Sequence, residues 1–226
     1  MANEKKKAGP YKVVFTSLLL FGPALLLIFI SSRGCEHKFK KLDDYGRVPN
    51  FEFKTAAGKS LSINSFKDKI VIFTTIQPTC PNDCGIQMWH VNQLIYQQLR
   101  KNKKKLGHVK LVSILTDGEG NQSDKISDVQ TTLRKEVEDY DPNIWIIVKG
   151  DAKTLYNIKH NKQSLLQKGD QYFGGEGFQE LMLLVDKKGH LRMALHGNLE
   201  GEIRTMRDHM NLLQKEYDIA KWKNKK

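Results

Sequence analysis

The 226 residues are 39% hydrophobic and 27% charged, a globular composition with room for one domain of ordinary size plus accessory segments, and no internal repeat is visible. Half of the net charge of +12 sits in the first 41 residues, which leaves a mildly basic remainder without any recognisable nucleic-acid module. A nucleic-acid-binding protein is therefore excluded as the main reading. The densest cluster, "RKNKKK" at 100–105, closes a helical pattern, where cations offset the negative end of the helix dipole.

In chain order, residues 1–12 form a short basic tail. "VVFTSLLLFGPALLLIFI" (13–30) is uncharged, long enough with Ser31 and Ser32 to span a bilayer as a helix, and longer than the apolar core of a cleaved signal peptide. A retained transmembrane anchor over 13–32 is expected, with a cleaved signal or a lipoprotein built on Cys35 as the alternatives. Basic residues flank both ends, so the positive-inside rule is nearly balanced. A short tail, a large C-terminal part and a close cysteine pair place that part outside the cytoplasmic membrane, in a periplasm if the cell has two membranes.

After a linker (33–47), a domain is expected over 48–220, with a basic tail at 221–226. "FEFKT" (51–55) and "SLSI" (60–63) read as a hairpin around "AAGK". "KIVIFTTI" (69–76) and "HVKLVSIL" (108–115) are runs of the type buried on both faces of a sheet. Between them, Ile86, Val91, Leu94, Ile95 and Leu99 recur at helical spacing from Pro81 to about Leu106. A serine-capped helix (123–140), a strand (143–150), a short helix, a hairpin of 180–186 with 190–197, and a final helix (200–218) complete an α/β pattern. The fold expected is a mixed central sheet flanked by helices, with a strand–CxxxC–helix unit of the thioredoxin-like kind.

"VPNFEF", "GKSLSINSFKDKIVIFTTIQPTCPNDC", "VKLVSILTDGEG", "NIWIIVKGD" and "LMLLVDKKGHL" together resemble the SCO/SenC family, covering most of 48–195. The resemblance implies a membrane-anchored, thioredoxin-like protein of cytochrome c oxidase assembly, with copper and a redox-active cysteine pair. Two departures stand out. Gly85 replaces the family's proline after the second cysteine, and Phe178, eight residues before Asp186, occupies the place of the family's third copper ligand, a histidine. His160 and His190 stand eighteen and twelve residues away from Phe178 in sequence.

The candidate site is Cys80 and Cys84. Pro81 suits the first position of a helix, whose free amides and positive dipole end would stabilise a Cys80 thiolate. Cys84 follows one turn later, close enough for the two sulfurs to bond or to share a soft cation. Two thiolates suit copper(I); the same pair also suits thiol–disulfide exchange, with Cys80 attacking and Cys84 resolving. Met88 could add a thioether, although a methionine among Ile86, Val91 and Ile95 reads first as core. His90, well past Cys84 on the same helix, falls about 240° around it and faces elsewhere. His196, His209, Asp83 and Asp117 read as surface groups and Trp145 as core. A peroxiredoxin is disfavoured because Phe73 and Gln77 replace its expected residues. Two functions stay open: copper(I) binding in oxidase assembly, and metal-independent thiol–disulfide oxidoreductase activity on an extracytoplasmic partner, a respiratory oxidase subunit or another thiol protein.

Overall fold

A computed structural model describes residues 10–34, 41–79, 83–160, 163–164 and 178–223. It resolves into two compact units, Met1–Lys40 and Lys41–Lys226. The described part of the first is a single helix, α1 (Pro10–Gly34), whose Val14, Leu18, Phe21, Leu25 and Ile28 are all exposed, without a polar face. Among the described residues no helix is long and apolar enough to cross a membrane. Cys35 lies outside the described residues.

The second unit is built on one seven-stranded sheet: β1 (Phe53–Thr55), β2 (Ser60–Leu61), β3 (Ile70–Ile76), β4 (Val109–Leu115), β5 (Trp145–Lys149), β8 (Leu181–Val185) and β9 (Leu191–His196), in the order β2-β1-β5-β4-β3-β8-β9. β6 (Lys159–His160) and β7 (Gln163–Ser164) pair separately. β3, β4 and β5 are parallel to one another, while β1 and β8 join them antiparallel and β9 extends the edge by a hairpin. The sheet is thus mixed, as the alternation of strands and helices predicts.

The period of two along each strand divides the core. Ile70 and Ile72 of β3, Leu111 of β4, Trp145 and Ile147 of β5, and Met182 and Leu184 of β8 point to one face. There they meet α2 (Asp83–Val91), the π-turn Asn92–Tyr96, α3 (Gln97–Lys101), α4 (Lys103–Leu106), α5 (Ile126–Glu136) and α7 (Glu200–Lys223). Val71, Phe73, Val112, Ile114 and Val148 point to the other face, against Tyr45, Phe51, Phe66 and α6 (Ala152–Tyr156). Phe51 stacks on Phe53 at 4.5 Å between ring centroids and meets Phe73 edge-on at 5.5 Å, an arrangement that aromatic quadrupoles favour.

Several elements differ from the sequence expectation. The helix expected to run on to Leu106 is interrupted at 92–96, where the buried Asn92 accepts from Gln97 Nε2 at 3.1 Å, and again at Asn102. An inserted side-chain bridge of this kind accommodates the extra residue of a π-turn. Ile86 is exposed (55%) rather than core: the buried stripe is Val91, Ile95 and Leu99, and Ile86 is about 140° off it at 100° per residue. The helix expected from Ser123 begins at Ile126 with Lys125 at its N-cap and no side-chain cap. Beyond Leu61 the chain enters a 3-10 turn at Ile63–Phe66 instead of continuing β2. Within 100–105, Arg100 pairs with Glu138 and Asp139, and Lys103 with Asp141 at 3.0 Å, so part of the cluster fastens the helix end to the 138–141 loop.

Candidate functional site

The cysteine motif lies where open α/β sheets place their chemistry, at the carboxyl end of the parallel strands. β3 ends at Ile76, Gln77–Thr79 leave the sheet, and α2 opens at Asp83 with Cys84 as its second residue. Cys80 and Pro81 lie outside the described residues, as do the side chains of Asp83, Cys84, His160 and Phe178. What can be built is the frame around them. Gly85 follows Cys84 in open space, with nothing within 4 Å of where a methyl group on its Cα would sit.

The antiparallel register of β8 decides which distant residues reach this end. Val71 pairs with Val185 and Phe73 with Leu183, so the start of β8 lies beside the end of β3. A 3-10 turn at Phe178–Glu180 therefore carries position 178 to the cysteine end of the sheet. The hairpin that follows β8 carries His190 to the opposite end, roughly 20 Å away along a seven-residue strand. There His190 Nδ1 lies 2.9 Å from Asp44 Oδ2.

Three further histidines can be placed among the described residues. Leu181 pairs with His196, which brings His196 to the cysteine end but, by alternation with Ala194, toward the face that α2 does not cover. His209 Nδ1 donates to Thr205 O of its own helix at 2.9 Å, and the His90 ring meets Trp89 at 5.0 Å. Among the described residues no three His, Cys, Asp or Glu side chains gather in a metal-binding group. Met88 is half-buried and packs against the first core, as expected, yet it also borders an open groove of about 330 Å³ with Pro78, Gly85, Lys125, Asp128 and Thr132.

Two polar arrangements have no counterpart in the sequence reading. Trp145 is core as expected, and its Nε1 donates to Ser113 Oγ at 2.9 Å, which in turn shares a hydrogen bond of 2.6 Å with Thr74 Oγ1. The second centres on Gln179. Its Oε1 accepts from Gln77 Nε2 (2.8 Å) and Thr116 Oγ1 (3.0 Å), its Nε2 donates to Gly118 O (3.0 Å), and its carbonyl accepts from Thr75 Oγ1. Asp117, in the same loop, accepts from the N–H groups of Glu119 and Asn121 at 2.9 and 2.8 Å. The backbone donation from Asn121, foremost, holds its carboxyl below the ordinary carboxylate range, and these bonds make Asp117 a turn former. A single glutamine between two apolar strands offers no local signal that could have found this arrangement.

No family model and no curated protein matches the sequence. Solved structures do. A SCO1/SenC family lipoprotein from Bacillus anthracis matches at TM-score 0.55 and 19% identity, covering 77% of this chain and 98% of its own. BsSco, a member of the Sco family of cytochrome c oxidase assembly proteins in which a disulfide switch was identified, matches at 0.51 and 16%, covering 76% and 97%. A candidate protein disulfide isomerase from Bacteroides thetaiotaomicron matches at 0.51 and 14%, covering 77% and 91%. The mixed sheet, the strand–CxxxC–helix order and these matches together give the chain the thioredoxin-like fold of the SCO/SenC structures.

Proposed function

We propose that the chain is a membrane-anchored, extracytoplasmic dithiol protein of the SCO/SenC type that takes copper(I) as cargo on Cys80 and Cys84 and serves assembly of a respiratory cytochrome c oxidase. The observation that carries this reading is positional: the CxxxC turn leaves the carboxyl end of β3 and enters the first turn of α2 within an Sco-like sheet. A thiolate at such a helix start is stabilised by free amides and the dipole. The donor set fits the cargo in part. Two thiolates suit a soft, low-coordinate cation, but Phe178 supplies no third ligand and Met88 is committed to packing.

That deficit favours a second reading of the same pair, metal-independent thiol exchange, for which the likeness to a disulfide isomerase fold is also apt. The Cys80 thiolate attacks a partner disulfide, giving a mixed disulfide and releasing one partner thiolate; the Cys84 thiolate then attacks the Cys80 sulfur and releases the second. The partner gains two electrons and the chain becomes the Cys80–Cys84 disulfide. The anchor rests on the sequence alone, through the uncharged run 13–30.

The test is a competitive copper(I) titration of the reduced full-length chain in detergent, repeated with Cys80→Ser and Met88→Leu. Binding that Cys80→Ser abolishes and Met88→Leu spares supports cargo binding by the dithiol. No binding together with a reversible disulfide transfers the function to exchange, and the absence of both refutes the two readings.

A further inference from the structure

We propose that Gln179 is a positioning residue for the cysteine pair, a clasp that locks the approach to β8 onto the strand ends from which the CxxxC turn departs. The inference rests on reading Cys80 and Cys84 as the reactive pair. Its basis is the convergence of two separate chain segments, the ends of β3 and β4, on one side chain.

β3 and β4 run parallel with Ile76 opposite Leu115, so Gln77 and Thr116 are the next residues out on adjacent strands. Gln179 Oε1 accepts from both, at 2.8 and 3.0 Å, and so uses its two lone-pair directions on two strands at once. Its Nε2 reaches past them to Gly118 O at 3.0 Å, in the loop after β4. Its own carbonyl accepts from Thr75 Oγ1, and Thr75 and Thr116 are both buried. The amide is thereby nearly saturated, and the 178–180 turn has four ties to the end of the sheet. The neighbouring residue is secured as well: Glu180 O accepts from Gly197 N at 2.6 Å, and Glu180 Oε2 from Asn198 Nδ2 at 3.0 Å.

The consequence for the dithiol follows from where the ties end. Gln77 is three residues before Cys80, and its side chain is held by Gln179, so the segment leading into the turn starts from a fixed point. Position 178 precedes Gln179 directly and is carried with it. A purely structural glutamine would stabilise the fold equally in both redox states. A clasp on Gln77, which leads into the motif, instead acts differently on the two states, because the disulfide adds a covalent constraint that the dithiol lacks.

The experiment measures the equilibrium between the Cys80–Cys84 dithiol and disulfide in a glutathione redox buffer, using the full-length chain in detergent, for the parent, Gln179→Met, Gln77→Met and the double variant. Met keeps the length of the side chain without the amide; Gln179→Glu, which can still accept from Gln77 and Thr116, serves as the conservative variant. Only the part of the lost hydrogen bonding that differs between the two redox states moves the equilibrium, and a shift of roughly five- to tenfold toward the disulfide is expected for Gln179→Met. A smaller shift is expected for Gln179→Glu, and a double variant no worse than Gln179→Met alone. Urea midpoints in each redox state separate this from general destabilisation, because a structural role lowers both equally and leaves the redox equilibrium where it was. An unchanged equilibrium in Gln179→Met, with a reversible disulfide in the parent, overturns the clasp and spares the cysteine reading. Absence of a reversible disulfide in the parent overturns both.

Discussion

Replacing Gly197 with alanine probes how the cysteine-bearing helix is seated on the sheet. Gly197 follows β9 and its backbone does not lie in the left-handed region, so space and not conformation is at stake. A methyl group there would lie 2.5 Å from Gln87 Nε2, 2.9 Å from Met182 Cγ and 3.2 Å from Glu180 O. The end of Gln87 can swing aside. Met182 is fully buried, and Glu180 O is drawn in by Gly197's own N–H at 2.6 Å, so neither yields freely. Overpacking of this type costs about 1–3 kcal/mol. With a urea dependence of about 2 kcal/mol per molar, the midpoint should fall by roughly 0.5–1.5 M. Chemical denaturation followed by circular dichroism measures it. Gly85→Ala is the matched control: it sits in α2 with open space around it, and replacing a helical glycine should raise stability by up to about 1 kcal/mol. Equal midpoints for parent and Gly197→Ala, or an equal loss in Gly85→Ala, would refute the steric account.

Other parts of the molecule are open to comparable tests. Asp186 and Arg192 form a buried ion pair at 3.2 Å, with Asp186 Oδ1 also accepting from the N–H groups of Lys188 and His190 across the hairpin; Asp186→Ala should cost about 3–5 kcal/mol in urea unfolding. Burial holds the His108 imidazole below the ordinary histidine range against the opposing hydrogen bond with Gln214 and the pull of Asp218, with Lys187 and Lys110 acting in the same direction as burial. The folded chain then binds fewer protons here than the unfolded one, so this contribution is complete above an unfolded value of 6.5 and is lost as pH falls through it; His108→Gln should flatten the decline in stability between about pH 7.5 and 5.5, which unfolding at fixed pH steps would record. Finally, Phe178→His should tighten copper(I) binding at least about tenfold, or 1.4 kcal/mol, in chelator competition, since it offers an imidazole donor at the end of the sheet where the cysteine turn departs.

Much of the architecture is readable from local pattern. Continuous β-branched runs announce β3 and β4, the glycine-centred "DKKGH" announces the β8–β9 hairpin, and the cysteines stand in sequence between a central strand and a helix. These signals persist because strand burial, turn chemistry and helix period each depend on a handful of adjacent residues. The same pattern misplaces Ile86 on α2, because one residue's error in phase turns a helix by about 100° and the π-turn at 92–96 adds a further offset. Residue type favours Ser123 over Lys125 as the cap of α5, yet the helix starts after Lys125 without a side-chain cap.

Local composition and spacing dictate the alternation of strands and helices, the apolar segment at 13–30 and the presence of two cysteines one turn apart. Folding in three dimensions settles what stands near them: the pairing of Phe73 with Leu183 brings a turn from about a hundred residues later to the cysteine end, sends His190 to the other end and aims His196 at the opposite face. Such assignments come from the register between strands distant in the chain. A slip of one residue would exchange the two faces of β8 while leaving every local pattern intact.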